Sequence, residues 1–263
     1  MKGAVMAAEM IEIKTPSQLQ VMREAGRIVK ELLAVLREAV QPGVTTLELD
    51  ELARATLSRL GARSAFKGYR GYPAHICTSV NDEVVHGIPS RRRLQAGDIV
   101  GVDVGSIVDG YYSDAAITVP VGEIPAETRK LLEVTEESLW KGIGKARAGN
   151  RLSDISNAVQ TEVEANGYSV VREFVGHGIG TQLHEPPQIP NYGKPGYGPV
   201  LKPGMVLAIE PMVNRGRAEV RVQPDGWTAV TQDGSISAHF EHTVAVTEGE
   251  AEVLTGCRRN MTG

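Results

Sequence analysis

Residues 101–116 read GVDVGSIVDGYYSDAA, an apolar, β-branched run that Asp103 and Asp114 interrupt on either side of an Asp109-Gly110 turn. This pattern predicts two strands joined by a two-residue turn, and the turn sets their register. In that register Val108 faces Tyr111 and Gly105 faces Asp114. Asp103 and Asp114 then share one face of the pair, diagonal to each other and within reach of a common cation. Asp109 is a turn residue. A carboxylate inside a strand is costly unless it is paired or binds a cation. The polar and apolar positions differ at 42–61 and 148–167, where each segment predicts a loop, an amphipathic helix and a glycine stop.

These two segments are related at a fixed offset of 106, with Gly43 on Gly149, Leu49 on Ile155, Leu57 on Val163 and Gly61 on Gly167. LQAGDIVGVDVG (94–105) matches LKPGMVLAIEPM (201–212) at an offset of 107, which sets Asp103 on Glu210. DAAITVPVGE (114–123) matches EHTVAVTEGE (241–250) at an offset of 127, which sets Asp114 on Glu241. The 20 extra residues of the second half fit an inserted hairpin around NRGRAEVRVQPDGWTAV. The chain therefore reads as two related helix-plus-strand halves about a pseudo-two-fold axis, with four carboxylates meeting near it. The competing view puts each acid on a wet edge strand, but DIVGVDVG and MVLAIEPM are too apolar for that.

Four like charges in one place call for protons or cations. Divalent metals are the simpler answer, and His177, flanked by Gly176, Gly178 and Gly180, offers a nitrogen ligand. Asp103, Asp114, His177, Glu210 and Glu241 are too many for one tetrahedral structural zinc, and no thiolate cluster accompanies them. They suit two divalent ions of the Mn, Fe, Co or Zn kind, bridged by carboxylates, and metal-assisted hydrolysis by an acidified water. His86 and His184 each precede a proline-containing turn and are candidates to hydrogen-bond a substrate amide and the developing oxyanion, with a structural role as the alternative. His75, His239 and His242 are assigned no role. His242 follows Glu241 directly and so faces away from the metals in a strand.

Bulk properties narrow the class. The net charge of −4 gives no case for nucleic acid or an anionic membrane as the main partner. Arg91-Arg92-Arg93 reads as a solvated loop. Two cysteines, Cys77 and Cys257, make a disulfide scaffold unexpected and point to a reducing compartment. Glu9 interrupts any signal-like stretch, and no window approaches a membrane span. The expectation is a cytoplasmic protein.

ICTSVNDEVVHGIP, GHGIG followed by HEPP, IEPM and SAHFEHTVAVT together resemble the bacterial type I methionine aminopeptidases, metallopeptidases of family M24. The resemblance runs from about residue 11 to about 255. It implies an α+β pita-bread fold, a central antiparallel sheet flanked by helices. A single catalytic domain over 11–255 would comprise halves of about 20–123 and 130–250, with tails at 1–10 and 256–263. It implies metal ligation by the same five residues. His86 would assist proton transfer at the scissile nitrogen, His184 would contact the substrate carbonyl, and Glu210 would shuttle the proton of the metal-bound water. The methionine pocket would fall on Tyr69, Tyr72, Cys77 and Trp227. Leu183 stands where relatives commonly carry an aromatic residue, which bears on the pocket's shape. Gly105 stands where many carry threonine, which bears on the water network behind Asp103.

The implied substrate is the initiator methionine of a nascent or finished polypeptide, cleaved best before a small second residue. A monomer is the simplest expectation, and the resemblance implies ribosome docking, for which Arg91–Arg93 is the hint. A proline-specific aminopeptidase or dipeptidase of the same fold is the nearest alternative. It would be expected to carry an additional N-terminal domain, for which a first repeat beginning near residue 20 leaves no room. A binding protein that has kept the fold and lost the metals would be expected to lack ligands, and all five are present.

Overall fold

The structure, a computed structural model, describes residues 10–256. The tails expected at 1–10 and 256–263, and Cys257, therefore lie almost wholly outside the described residues. Helix α1 (Pro16–Ala39) begins where Thr15 and Gln18 satisfy each other's backbone donors, with proline at the first helical position. Its buried stripe, including Met22, Ile28, Leu32 and Leu36, lies on a long antiparallel hairpin. That hairpin is Ile99–Val108 with Tyr111–Pro120, and its register is the expected one: Val108 opposite Tyr111, Gly105 opposite Asp114, Asp103 opposite Ala116. Asp109 and Gly110 have φ of 46° and 81°. Both are left-handed, as a two-residue hairpin turn of this kind requires. Strand Ile76–Val80 pairs with Ile99–Val108 and sets Cys77 opposite Asp103.

Helix α2 (Thr46–Arg59) packs beside α1, and helix α3 (Ala126–Ile143) packs beside α4 (Leu152–Ala165). Helices α2 and α4 occupy the two repeat segments. Each stops at a glycine in the left-handed region, Gly61 at φ 70° and Gly167 at φ 80°, a conformation that costs other residues steric strain. One buried cluster draws on both halves, from Leu32, Leu49 and Val102 to Leu139, Ile155, Leu207 and Val244.

The second half builds its hairpin in broken form. Val206–Ile209 and Met212–Asn214 are separated at Glu210-Pro211, and Ser237–His239 and His242–Ala245 at Phe240-Glu241. The expected central sheet is thus divided among four antiparallel sheets in the described residues. The cause is local. Pro211 has no N–H for a ladder, and the backbone leaves register where the two glutamates turn inward.

Ala116 and Glu241 exchange backbone hydrogen bonds of 3.4 and 2.9 Å across the seam between the halves. Thr243 bonds Asp114 on one side of them, and Thr118 bonds the backbone of His239 on the other. The offset of 127 exchanges Asp114 with Glu241 and Ala116 with Thr243, so these contacts straddle the pseudo-two-fold. The expected insertion is a hairpin, Val220–Val222 with Ala229–Thr231. It pairs with Glu83–Val85 of the first half and brings Trp227 to the strand that ends just before His86.

Candidate active site

Asp103, Asp114, His177, Glu210 and Glu241 line one cavity of about 180 Å³. His86, His184, Tyr69, Tyr72, Cys77 and Trp227 line the same cavity, with Phe66, Arg70, Val85, Phe174, Val175 and Leu183 completing it. Every residue singled out as a site candidate from the sequence is present in this wall.

His177 reaches the acids because its strand, Gly176–Gly178, lies pressed between two others. A Cβ on Gly176 would run into the Ala208 carbonyl, and one on Gly178 into the Pro186 carbonyl. The ring's Nδ1 lies 2.9 Å from the Gly178 carbonyl, which can only accept. Nδ1 therefore carries a hydrogen, and Nε2 is turned to the acids, 3.4 Å from Glu210 Oε1 and 3.6 Å from Asp114 Oδ2. Groups crowded at such distances are reconciled by a shared proton or a cation. A histidine tied through its second nitrogen to a backbone carbonyl is how proteins orient a metal-binding imidazole.

Asp114 and Glu241 are 4% and 3% exposed. One oxygen of Asp103 is buried without a hydrogen-bond partner. Burial first, and then the charges of the neighbouring acids, push the Asp103, Glu210 and Glu241 carboxyls well above the usual carboxylate range. Asp114 is raised less simply: burial lifts it, while His177 and the Thr243 hydroxyl pull it down. Asp114, His177 and Glu241 each offer a ligand atom within 4.8 Å of the others. A donor set of carboxylate oxygens and one imidazole nitrogen, with an orphaned oxygen among them, fits divalent cations of the hard-to-borderline kind.

The histidines above this floor are held neutral. Burial lowers His86 to about 4, and its backbone is left-handed at φ 61°. His86 meets Phe174 edge-on at 5.4 Å. His184 stacks on Tyr69, and the Tyr69 hydroxyl lies 2.8 Å from its Nδ1. Desolvation, then His177, Arg70 and His86, hold His184 below its usual range. Tyr72 meets Trp227 edge-on at 5.0 Å, and its hydroxyl is anchored to the carbonyls of Ile76 and Gly87. Burial, then Asp103, pushes the Cys77 thiol up, so it remains protonated. Leu183 is buried in the wall. Opposite Gly105, a Cβ would come within 2.7 Å of Ala65 and 2.9 Å of Phe66, so those side chains fill the space where a larger residue would stand.

The sequence assigns His239 no role, and the structure places it beside Glu210. It is 4% exposed, its Nε2 has no hydrogen-bond partner, and that atom lies 3.9 Å from Glu210 Oε2. Burial, then His86, lowers it to about 3. Alternation with Glu241 on one strand face was the available signal. His242 does face away, packed on Trp140 and bonded to Thr255. Two further residues went unread. Thr243 holds Asp114, and the Asn191 amide donates to the Glu210 carbonyl at 3.0 Å. Of the arginine run, Arg92 pairs with Glu83 and Arg93 donates to the Gly43 carbonyl, so two of its guanidiniums serve the fold.

Fold and donor set together define a metallopeptidase. The family model for metallopeptidase family M24 matches residues 20–248, and the chain belongs to that family. Within it, the chain is 55% identical to a methionine aminopeptidase of Clostridium acetobutylicum, over 94% of this chain and 100% of that protein. It is 55% identical to methionine aminopeptidase 1 of Bacillus subtilis, over 94% and 99%. A crystal structure of a methionine aminopeptidase from Thermotoga maritima superposes with a TM-score of 0.93 at 50% identity, covering 94% of this chain and all of that one. No helix among the described residues is long and apolar enough to cross a membrane.

Proposed function

We propose that this chain removes the N-terminal methionine of polypeptides by hydrolysis, most readily before a small second residue, using two divalent cations held by Asp103, Asp114, His177, Glu210 and Glu241. The observation that carries the reading is His177 Nε2 turned toward Asp114 and Glu210 in a buried cavity. The family membership and the methionine aminopeptidase relatives support it. The reading places one catalytic unit over 11–255, built of the two halves, in the cytoplasm as a monomer acting on nascent or completed chains.

Divalent ions bound there would acidify a water and polarise the scissile carbonyl. Glu210, at the cavity floor, takes the proton of the attacking water. His184 lies 2.8 Å from the Tyr69 hydroxyl at Nδ1, and with that hydroxyl donating, its Nε2–H would be free to donate to the carbonyl oxygen as charge develops on it. Neutral His86 passes a proton at the scissile nitrogen. Tyr69, Tyr72, Cys77 and Trp227 receive the methionine side chain, whose thioether packs well against aromatic rings. Preference for a small second residue would come from contact with the wall around this cavity.

The test is hydrolysis of Met-Gly-Met-Met beside a peptide with a bulky first residue and proline second, using metal-stripped protein with Mn, Co, Fe or Zn restored. Metal-dependent release of methionine from the first peptide alone is expected. Turnover of the proline peptide alone would move the assignment to the proline-specific branch.

A further inference from the structure

Lys14 is a buried cation outside the cavity. Its side chain is 1% exposed, and its ammonium lies 2.6 Å from Glu185 Oε2 and 2.7 Å from Glu12 Oε2. The partner is 171 residues away in sequence and immediately follows His184. Glu185 is 9% exposed. Its other oxygen accepts from the Gln182 N–H at 3.1 Å and the Thr181 hydroxyl at 3.3 Å. One carboxylate therefore gathers the turn that carries Leu183 and His184, and one ammonium pins that carboxylate.

Both ends of the pin are themselves fixed. Lys14 N–H donates to the Gly204 carbonyl at 2.8 Å, and Tyr112 N–H donates to the Gly180 carbonyl at 2.7 Å. The ammonium stem lies so close to Gly180 that any Cβ there would collide with it. Neither Lys14 nor Glu185 lines the cavity. Buried ion pairs are poor stabilisers relative to apolar residues of similar volume. What such a pair supplies here is a single geometry for the loop.

We propose that Lys14 is a positioning residue for peptide hydrolysis: through Glu185 it fixes the 180–185 loop and holds the His184 ring against the cavity. This rests on the peptidase reading above. A misplacement of about 1 Å in a catalytic group can cost about 100-fold in rate. The larger effect falls on kcat, because His184 meets the carbonyl oxygen most strongly as it gains charge.

The experiment measures kcat and KM for Met-Gly-Met-Met in wild type, Lys14→Met, His184→Ala and the Lys14→Met/His184→Ala double variant, all with Mn restored. Lys14→Met is expected to lower kcat by about 10- to 100-fold, with KM changed by less than kcat. In the His184→Ala background it is expected to change kcat by less than about twofold, because the group it positions is gone. Wild-type kcat in Lys14→Met overturns the proposal. So does an equal loss in both backgrounds, which a general destabilisation would give. Lys14→Met leaves Glu185 buried and unpaired, so Lys14→Met/Glu185→Gln, with neither charge, carries the same comparisons if the single variant does not fold. Wild-type protein that releases no methionine with any metal overturns the peptidase reading and this inference with it.

Discussion

The Thr243 hydroxyl clasps the backbone of Asp114, donating to its carbonyl at 2.7 Å and accepting from its N–H at 3.1 Å, with Asp114 Oδ1 at 3.2 Å. Asp114 belongs to the first half and Thr243 to the second, so the second half holds a candidate ligand of the first. Thr243→Val keeps the shape and removes this clasp. Metal affinity is expected to fall by about 10- to 100-fold, the usual cost of losing an outer partner of a ligand, while Thr243→Ser keeps it. Calorimetric titration of stripped protein with Mn measures this. Wild-type affinity in a folded Thr243→Val protein would refute the clasp's role.

Glu210→Gln retains the volume and the Asn191 contact to its backbone carbonyl. Turnover is expected to drop by about 10²- to 10⁴-fold, the range for a removed general base, with thermal unfolding little changed. Steady-state kinetics on a methionine-first tripeptide reads this. Near-wild-type turnover would remove the proton-transfer role.

A Cβ added at Gly105 would come within 2.7 Å of Ala65 and 2.9 Å of Phe66. Gly105→Thr is therefore expected to overpack the wall, destabilise by about 1–3 kcal/mol and displace Phe66 from the cavity. Urea unfolding and a crystal structure of the variant check both parts. Unchanged stability with Phe66 in place would show that the site has slack.

His86 is lowered by burial from its usual value near 6.5 to about 4. Between those values the unfolded chain binds a proton there that the folded chain does not. Stability from this group is thus intact above pH 6.5 and lost as pH falls toward 4, by at most about 1.4 kcal/mol per pH unit. His86→Asn, which tolerates the left-handed backbone, should lose less stability than wild type between pH 6.5 and 4.5. Denaturant unfolding of the metal-free proteins at both pH values gives the comparison; parallel loss would show that His86 is not held neutral.

What could be read from the sequence followed the reach of each signal. Asp109-Gly110 fixes a register, so the diagonal of Asp103 and Asp114 followed from counting. Glu210 and Glu241 were reached only through the repeat, because Pro211 and Phe240 break the strands that would have displayed them. Thr15, Pro16 and Gln18 announce α1 by its cap, yet that helix went unread beside the stronger repeat. His239 obeyed the same alternation that placed His242 and could have been found. Lys14 with Glu185 and Thr243 with Asp114 are contacts over 171 and 129 residues that no local pattern encodes. They arise only when the halves close on each other.

The central claim is that the five inward-facing residues hold divalent metal that the hydrolysis requires. The most direct measurement is methionine release from Met-Gly-Met-Met by stripped protein as Mn is titrated back, with bound metal counted at each point. The account predicts no release without metal and activity that rises with occupancy and levels off at two ions per chain. Full release by protein verified to be metal-free would contradict it.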